Sequence, residues 1–251
     1  MLQRFFLLFL ASGFFFVACD NSENDQPRDV RFQLELRKNG NAVALRDTVD
    51  LSNGYTFTLT KFLLYLSKVE LTDVNGDAQE LKKIALLRLE EAGNPFFTGT
   101  LKPGLYTDIS LGLGVDSAQN DADPTSFSQD HPLAAYQQTY WTMLKYRFAI
   151  IEGRSNDSGR LGSNNDILNA YHPGTNPLYQ TVEQDLSFRV PGESSVPQLK
   201  LVVDIDSLFD GPHPIDFRSQ PQTHSDTATI EIARDLMENM AAGARIEKVG
   251  A

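Results

Sequence analysis

The stretch VRFQLELRKNG, residues 30–40, decides the fold. Val30, Phe32, Leu34 and Leu36 fall on every second position, with polar residues between them. A period of two sends alternate side chains to opposite faces of an extended chain, so the stretch is a strand with one buried face. The same reading extends along the chain. Residues 55–76, YTFTLTKFLLYLSKVELTDVNG, are rich in Thr, Phe, Tyr and Leu and end on an Asn-Gly turn signal. Residues 104–115, GLYTDISLGLGV, alternate through Leu105, Ile109, Leu111 and Leu113. YWTMLKYRFAIIEG (140–153) reads as a further strand, and LSFRV (186–190) and LKLVVDID (199–206) complete the set. Two stretches have helical character. One is KKIALLRLEEA at 82–92. The more regular is SDTATIEIARDLMENMA at 225–241, where Ile230, Ala233, Leu236, Met237 and Met240 recur at helical spacing. Short strands separated by turn signals predict an all-β fold, an antiparallel β-sandwich with long loops and one C-terminal helix. The length suits one large domain, placed at residues 29–251.

The N-terminal residues MLQRFFLLFLASGFFFVACD carry one positive charge, Arg4, and then an uncharged run from Phe5 to Ala18. That run is short for a membrane span of roughly 20 residues. It fits a secretory signal peptide over residues 1–18. FVAC, ending at Cys19, looks like a lipobox, in which the cysteine is acylated after cleavage just before it. Cys19 is the only cysteine, and an unpaired thiol is a liability in an oxidising compartment. The expectation is therefore a lipoprotein of the bacterial cell envelope, held on a lipid bilayer by Cys19 with its domain outside the cytoplasm. Residues 19–28 are polar and acidic and read as a flexible tether. The net charge of −11 repels phosphate backbones and disfavours a nucleic-acid partner.

Three segments have loop chemistry, rich in Asp, Ser, Asn, Gly and Pro: 115–135, 153–177 and 210–226. Long loops in a compact domain often carry function. All four histidines, His131, His172, His213 and His224, lie in or beside them. The sequence holds no G-x-S-x-G elbow, H-E-x-x-H pair, Walker A loop or G-x-G-x-x-G. No enzyme is expected. Metal binding has more support. Asp116, Asn120, Asp121 and Asp123 offer hard oxygen donors that suit calcium, without the spacing of an EF-hand; a solvated acidic turn is the favoured reading of them. Imidazoles suit copper or zinc, and copper fits a thiol-poor protein outside the cytoplasm.

Three segments together resemble the MbnP-like family of extracytoplasmic copper-binding proteins. They are GLYTDISLGLGVDSAQN, then YWTMLKYRFAIIEG, then YHPG. The matching positions are Gly114, Val115, Asp116, Ser117 and Asn120; Trp141, Thr142, Tyr146 and Gly153; and Tyr171, His172 and Gly174. The upstream FTLTKFLLYLSKVEL is similar to the family's first block. The resemblance covers residues 30–240 and implies that Trp141, the only tryptophan, is oxidised to kynurenine by a partner dihaem enzyme of the MauG-like class. The modified residue would then help histidines bind copper. Kynurenine carries an aryl amine and a ketone, whereas an indole N–H only donates. His172 lies in the family's aromatic-His-x-Gly segment, and His224, in QTHSD, lies just before the helical stretch; these two are the expected copper ligands, converging on Trp141. His131 and His213 each precede a proline, match no family position and are expected at the surface. Asp116, Asn120 and Asp121 remain a possible second site.

The sequence departs from the family at three positions. Met143 replaces the second tryptophan of a W-T-W strand, Lys145 replaces a glycine, and Asp121 replaces a histidine that follows the asparagine in many members. Met143 offers a thioether to Cu(I), and packing accounts for a methionine equally well. Two function classes follow: a membrane-anchored copper-binding lipoprotein, or a β-sandwich lipoprotein with a structural or interaction role and no metal. A calcium-stabilised carbohydrate-binding module is a third reading, poorly served by a single tryptophan.

Overall fold

The computed structural model describes residues 26–89, 93–192 and 195–249. The signal segment, Cys19 and most of the tether lie outside the described residues. In chain order the strands are β1 (Arg28–Lys38), β2 (Asn41–Ala42), β3 (Thr48–Asp50), β4 (Thr56–Asp73), β5 (Ala78–Arg88), β6 (Phe96–Leu101), β7 (Gly104–Leu113), β8 (Tyr140–Trp141), β9 (Lys145–Tyr146), β10 (Ala149–Asn156), β11 (Ile167–Tyr171), β12 (Gln180–Val190), β13 (Gln198–Asp204), β14 (Gln222–Thr223) and β15 (Ala244–Val249). Three α-helices are interspersed: α1 (Ser117–Asn120), α2 (Ile205–Phe209) and α3 (Ile230–Gly243).

One sheet runs β15-β13-β1-β2, with β6 also on β1. The other runs β12-β7-β4-β10-β11-β14, with β3 and β5 also on β4. The hairpin β8–β9 stands apart. The expected sandwich is present, and its two sheets share one apolar core. Val30, Phe32, Leu34 and Leu36 of β1 are all fully buried in it, as their period requires. The sheets are mixed: β1 pairs with β13 in parallel, and β11 pairs with β14 in parallel. Both parallel pairs join strands far apart in sequence, linked by long crossovers, a pairing that alternation in one strand does not encode.

Two local expectations are corrected. Residues 82–89 of the first helical stretch belong to β5 and its C-terminal flank, and 90–92 lie outside the described residues. β5 zips antiparallel along β4 and buries Leu81, Ile84, Ala85 and Leu87. A long ladder partner outweighs helix propensity, which is a weak prior. The stretch 140–153 is not one strand: it is the hairpin β8–β9 followed by β10. The second helical stretch forms α3, with Ala233, Leu236, Met237 and Met240 buried.

Candidate metal centre

The β8–β9 hairpin presents Trp141. Trp141 pairs with Lys145 and Tyr140 with Tyr146 across the ladder, and the Leu144 N–H closes the turn on Trp141 O at 3.1 Å. Lys145 completes the turn in the left-handed region, at φ 61°. That conformation favours glycine, and a lysine adopts it here. Tyr146 anchors the hairpin: it is fully buried, donates from its hydroxyl to Leu133 O at 2.8 Å, and packs edge-on against Tyr140 and Tyr65. Trp141 therefore does not lie on a central strand. It projects from a small hairpin fastened over the eight-stranded sheet, 36 % exposed. Met143, in the turn, is 92 % exposed and packs against nothing in the core.

His172 follows directly on the last residue of β11, Tyr171, so a strand sets its position inside the stretch expected to be loop. The parallel pairing Ala170↔Gln222 and Tyr171↔Thr223 carries on past the strand ends, so His172 and His224 fall side by side. The His172 N–H donates to Thr223 O at 2.9 Å and fixes that register. Gly174 lets the same segment close on the hairpin, because a Cβ there would lie 2.7 Å from Tyr146 O.

The two imidazoles face each other through Nδ1 atoms 3.0 Å apart. His172 Nε2 lies 2.9 Å from Glu152 Oε1 on β10. An ionised carboxylate only accepts, so Nε2 carries the proton and Nδ1 of His172 presents its lone pair to His224. A carboxylate behind a histidine is the usual support of a metal-ligating imidazole. Burial, above all, pushes the His172 pKa down to about 4, with Glu152 opposing and the charges of His224 and Arg147 adding to the depression. The ring is thus neutral, as a ligand must be. The Trp141 ring centroid is 5.2 Å from that of His224 and 6.1 Å from that of His172. The Arg147 guanidinium lies 4.8 Å over the indole.

The three residues expected to converge do so. The donor set fits a copper ion in part. His172 and His224 would hold the ion, their Nδ1 atoms lying 3.0 Å apart, and His224 would give up the proton its Nδ1 shares with His172 to do so. Two imidazoles are borderline donors suited to copper. Among the described residues no three His, Cys, Asp or Glu side chains gather as a ligand cluster. A third protein donor at this pair has to come from another residue type, and the ring flanking both histidines is that of Trp141.

The other candidates are engaged elsewhere. Asp116 caps α1, accepting from the N–H groups of Ala118 and Gln119. Asn120 is buried and accepts from Tyr146 N at 3.1 Å while donating to Asn176 Oδ1 at 2.7 Å, which holds the hairpin down. Asp121 faces Lys145 at 3.8 Å, and Asp123 accepts from Thr125 N. These oxygens point to separate partners rather than to one centre. His131 stacks on Phe127, and His213 lies 3.0 Å from Glu238 on α3. Sequence reasoning missed Glu152 and Arg147. Both sit within the YWTMLKYRFAIIEG segment that carries Trp141, but only the chain path brings them to the histidines.

A family model, MbnP, matches residues 27–227. The chain belongs to the MbnP family. The match spans the hairpin, both histidines and the strands that place them. The solved structure of MbnP from Methylosinus trichosporium superposes with a TM-score of 0.53 at 14 % identity, over 90 % of this chain and 100 % of that one. At that identity the likeness to MbnP is one of fold. A search of curated proteins finds no match. Among the described residues no helix is long and apolar enough to cross a membrane, which says nothing of spans built from strands.

Proposed function

We propose that this protein is a membrane-anchored extracytoplasmic lipoprotein that binds copper at His172 and His224, with Trp141 oxidised to kynurenine by a partner dihaem enzyme of the MauG-like class. It is a binding protein and not a catalyst. The observation that carries this reading is the Nδ1–Nδ1 approach of 3.0 Å beside the only tryptophan. His172 would ligate through Nδ1, with Glu152 holding its other nitrogen. Copper supplies a soft, redox-active cation when bound. Opening Trp141 would consume a peroxide oxidant reduced at the partner's haems and release the indole C2 as formate, leaving a kynurenine whose amine or ketone adds the donor that indole lacks. Exposure of the indole on a hairpin leaves it open to an oxidant of protein size.

The test is mass spectrometry of protein taken from its own host, with metal analysis of the same sample. The expected result is a tryptic peptide carrying Trp141 with the mass of kynurenine, and copper in the preparation. Intact tryptophan together with no copper would leave the other reading, a β-sandwich lipoprotein that keeps the family fold without a metal.

A further inference from the structure

β1 enters the fold at Arg28, whose ladder partner is Leu101, the last residue of β6. A tight turn leads from there into β7 at Gly104, and Gly104 pairs with Val190, the last residue of β12. In the other sheet Arg31 pairs with Gln198, the first residue of β13, and Gln198 pairs with Val249, the last of β15. The chain therefore enters at the end of the sandwich where β12 and β15, an edge strand of each sheet, both finish. β7 leaves this end and runs for about 30 Å towards the segment whose Asn120 holds the Trp141 hairpin. Between the two edge strands lies a groove of about 640 Å³. Leu105, Phe188, Val196 and Val249 give it an apolar lining, and Arg189 and Lys248 line it as well. Val196 is 53 % exposed and Val249 38 % exposed, although both are apolar. Among the described residues neither Arg189 nor Lys248 has an ion pair, and no carboxylate lines the groove. The acids of this end, Asp29 on β1 and Asp73 and Asp77 at the β4–β5 turn, lie away from it. Two unpaired cations over an apolar groove are an exception in a chain of net charge −11.

We propose that this groove is a lipid-contact face, on which Arg189 and Lys248 meet anionic headgroups of the bilayer while Val196 and Val249 enter its interface. The domain then rests on the membrane by its entry end and turns the Trp141 hairpin to the aqueous side. The proposal rests on the acyl anchor at Cys19. Residues 19–27 reach at most about 30 Å at full extension, so an anchored chain keeps this end near the bilayer. The occupant follows from the chemistry of the groove. Long cationic side chains lay their stems along apolar surface and keep the charge at the interface. Each cation near an anionic lipid surface strengthens association about fivefold, while the rest of this acidic chain is repelled by such a surface. The chain's own tether is also acidic, at Asp20, Glu23 and Asp25, and the experiment separates it from lipid.

An acylated Cys19 leaves no free thiol, so a single introduced cysteine takes an environment-sensitive fluorophore. The mature lipoprotein carries the label at V196C in the groove or, as a control, at M143C on the hairpin, with circular dichroism to establish folding. Each form is placed in vesicles of phosphatidylcholine alone or with phosphatidylglycerol added. On the anionic vesicles the V196C label should shift to the blue and be quenched by a nitroxide carried on the lipid, and the M143C label should do neither. R189Q combined with K248Q should lower the buried-to-exposed ratio of the V196C label about 25-fold, with the protein still floating with the vesicles. Vesicles of phosphatidylcholine alone should lower that ratio as well. Three results overturn the contact face and leave the anchor intact. They are a V196C label that stays in water on anionic vesicles, one that is buried whatever the charge of lipid or groove, and one already buried in the soluble Cys19→Ser form, where the tether fills the groove. Protein that does not float with the vesicles overturns the anchor, and this proposal with it.

Discussion

His172 couples the site to the stability of the fold. Its folded pKa is depressed to about 4 from an ordinary value near 6.5, because the ring is buried. The unfolded chain therefore binds more protons between those two values, and stability rises with pH across that window. At pH 7 the neutral ring contributes fully, and the contribution, on the order of 3 kcal/mol, is lost as pH falls from about 6.5 to about 4. Urea unfolding at a series of pH values should show this slope in the parent and lack it in His172→Gln; parallel curves would contradict it. Glu152 acts on the same ring from behind. Glu152→Leu should lower copper affinity about 10–100-fold, whereas Glu152→Gln, which keeps an acceptor for Nε2–H, should lower it far less. Isothermal titration of the two variants distinguishes a positioning role from bulk packing.

The hairpin β8–β9 is the element on which the site depends, and its weak point is Lys145. A side chain at φ 61° carries a cost of about 1 kcal/mol that glycine does not bear. The Lys145–Asp121 pair, 3.8 Å apart and largely exposed, offsets little of it. Lys145→Gly is expected to leave the protein as stable or raise its melting temperature by a few degrees, read by differential scanning calorimetry; a clear loss would show that the turn is not strained there. Gly174 has the opposite character. Its Cβ would meet the backbone oxygen of Tyr146 at 2.7 Å, and a main-chain atom cannot swing aside. Gly174→Ala should cost about 1–3 kcal/mol and part His172 from the hairpin, with a matching fall in copper affinity.

At the scale of the molecule, the family match ends at residue 227 while the sheet does not. α3 buries Leu236, Met237 and Met240, and β15 returns to pair antiparallel with β13 over its whole length. The Gln184 side chain then seals the edge, accepting from Ile246 N at 2.8 Å and donating to Ile246 O at 2.7 Å. Ending the chain after residue 243 should expose the β13 edge and unplug Ile246, lowering the melting temperature by roughly 10 °C or driving the protein into aggregates. An unchanged melting curve would mean that β15 is an ornament. At the other terminus, the proposed acyl anchor predicts that Cys19→Ser moves the protein from the membrane to the soluble fraction, and a variant that stays with the membrane would overturn the lipobox reading.

What the residues alone determined is the strand character, because a period of two is a local property that Val30, Phe32, Leu34 and Leu36 display without help from the rest of the chain. The helical spacing of Ile230 to Met240 was legible for the same reason; Trp141 stood out as the only tryptophan, and His172 only through the family resemblance of its YHPG segment. Burial across β4 decided that residues 82–88 are a strand, since their apolar content serves either structure until a partner is supplied. Register decided the site. The parallel pairing Tyr171↔Thr223 sets His224 against His172, and the antiparallel pairing Ile151↔Tyr171 brings Glu152 within reach of the same ring. No spacing in the sequence records a pairing between strands 52 residues apart. Hydrogen bonds between distant backbones fix it, and only the folded chain brings those backbones together.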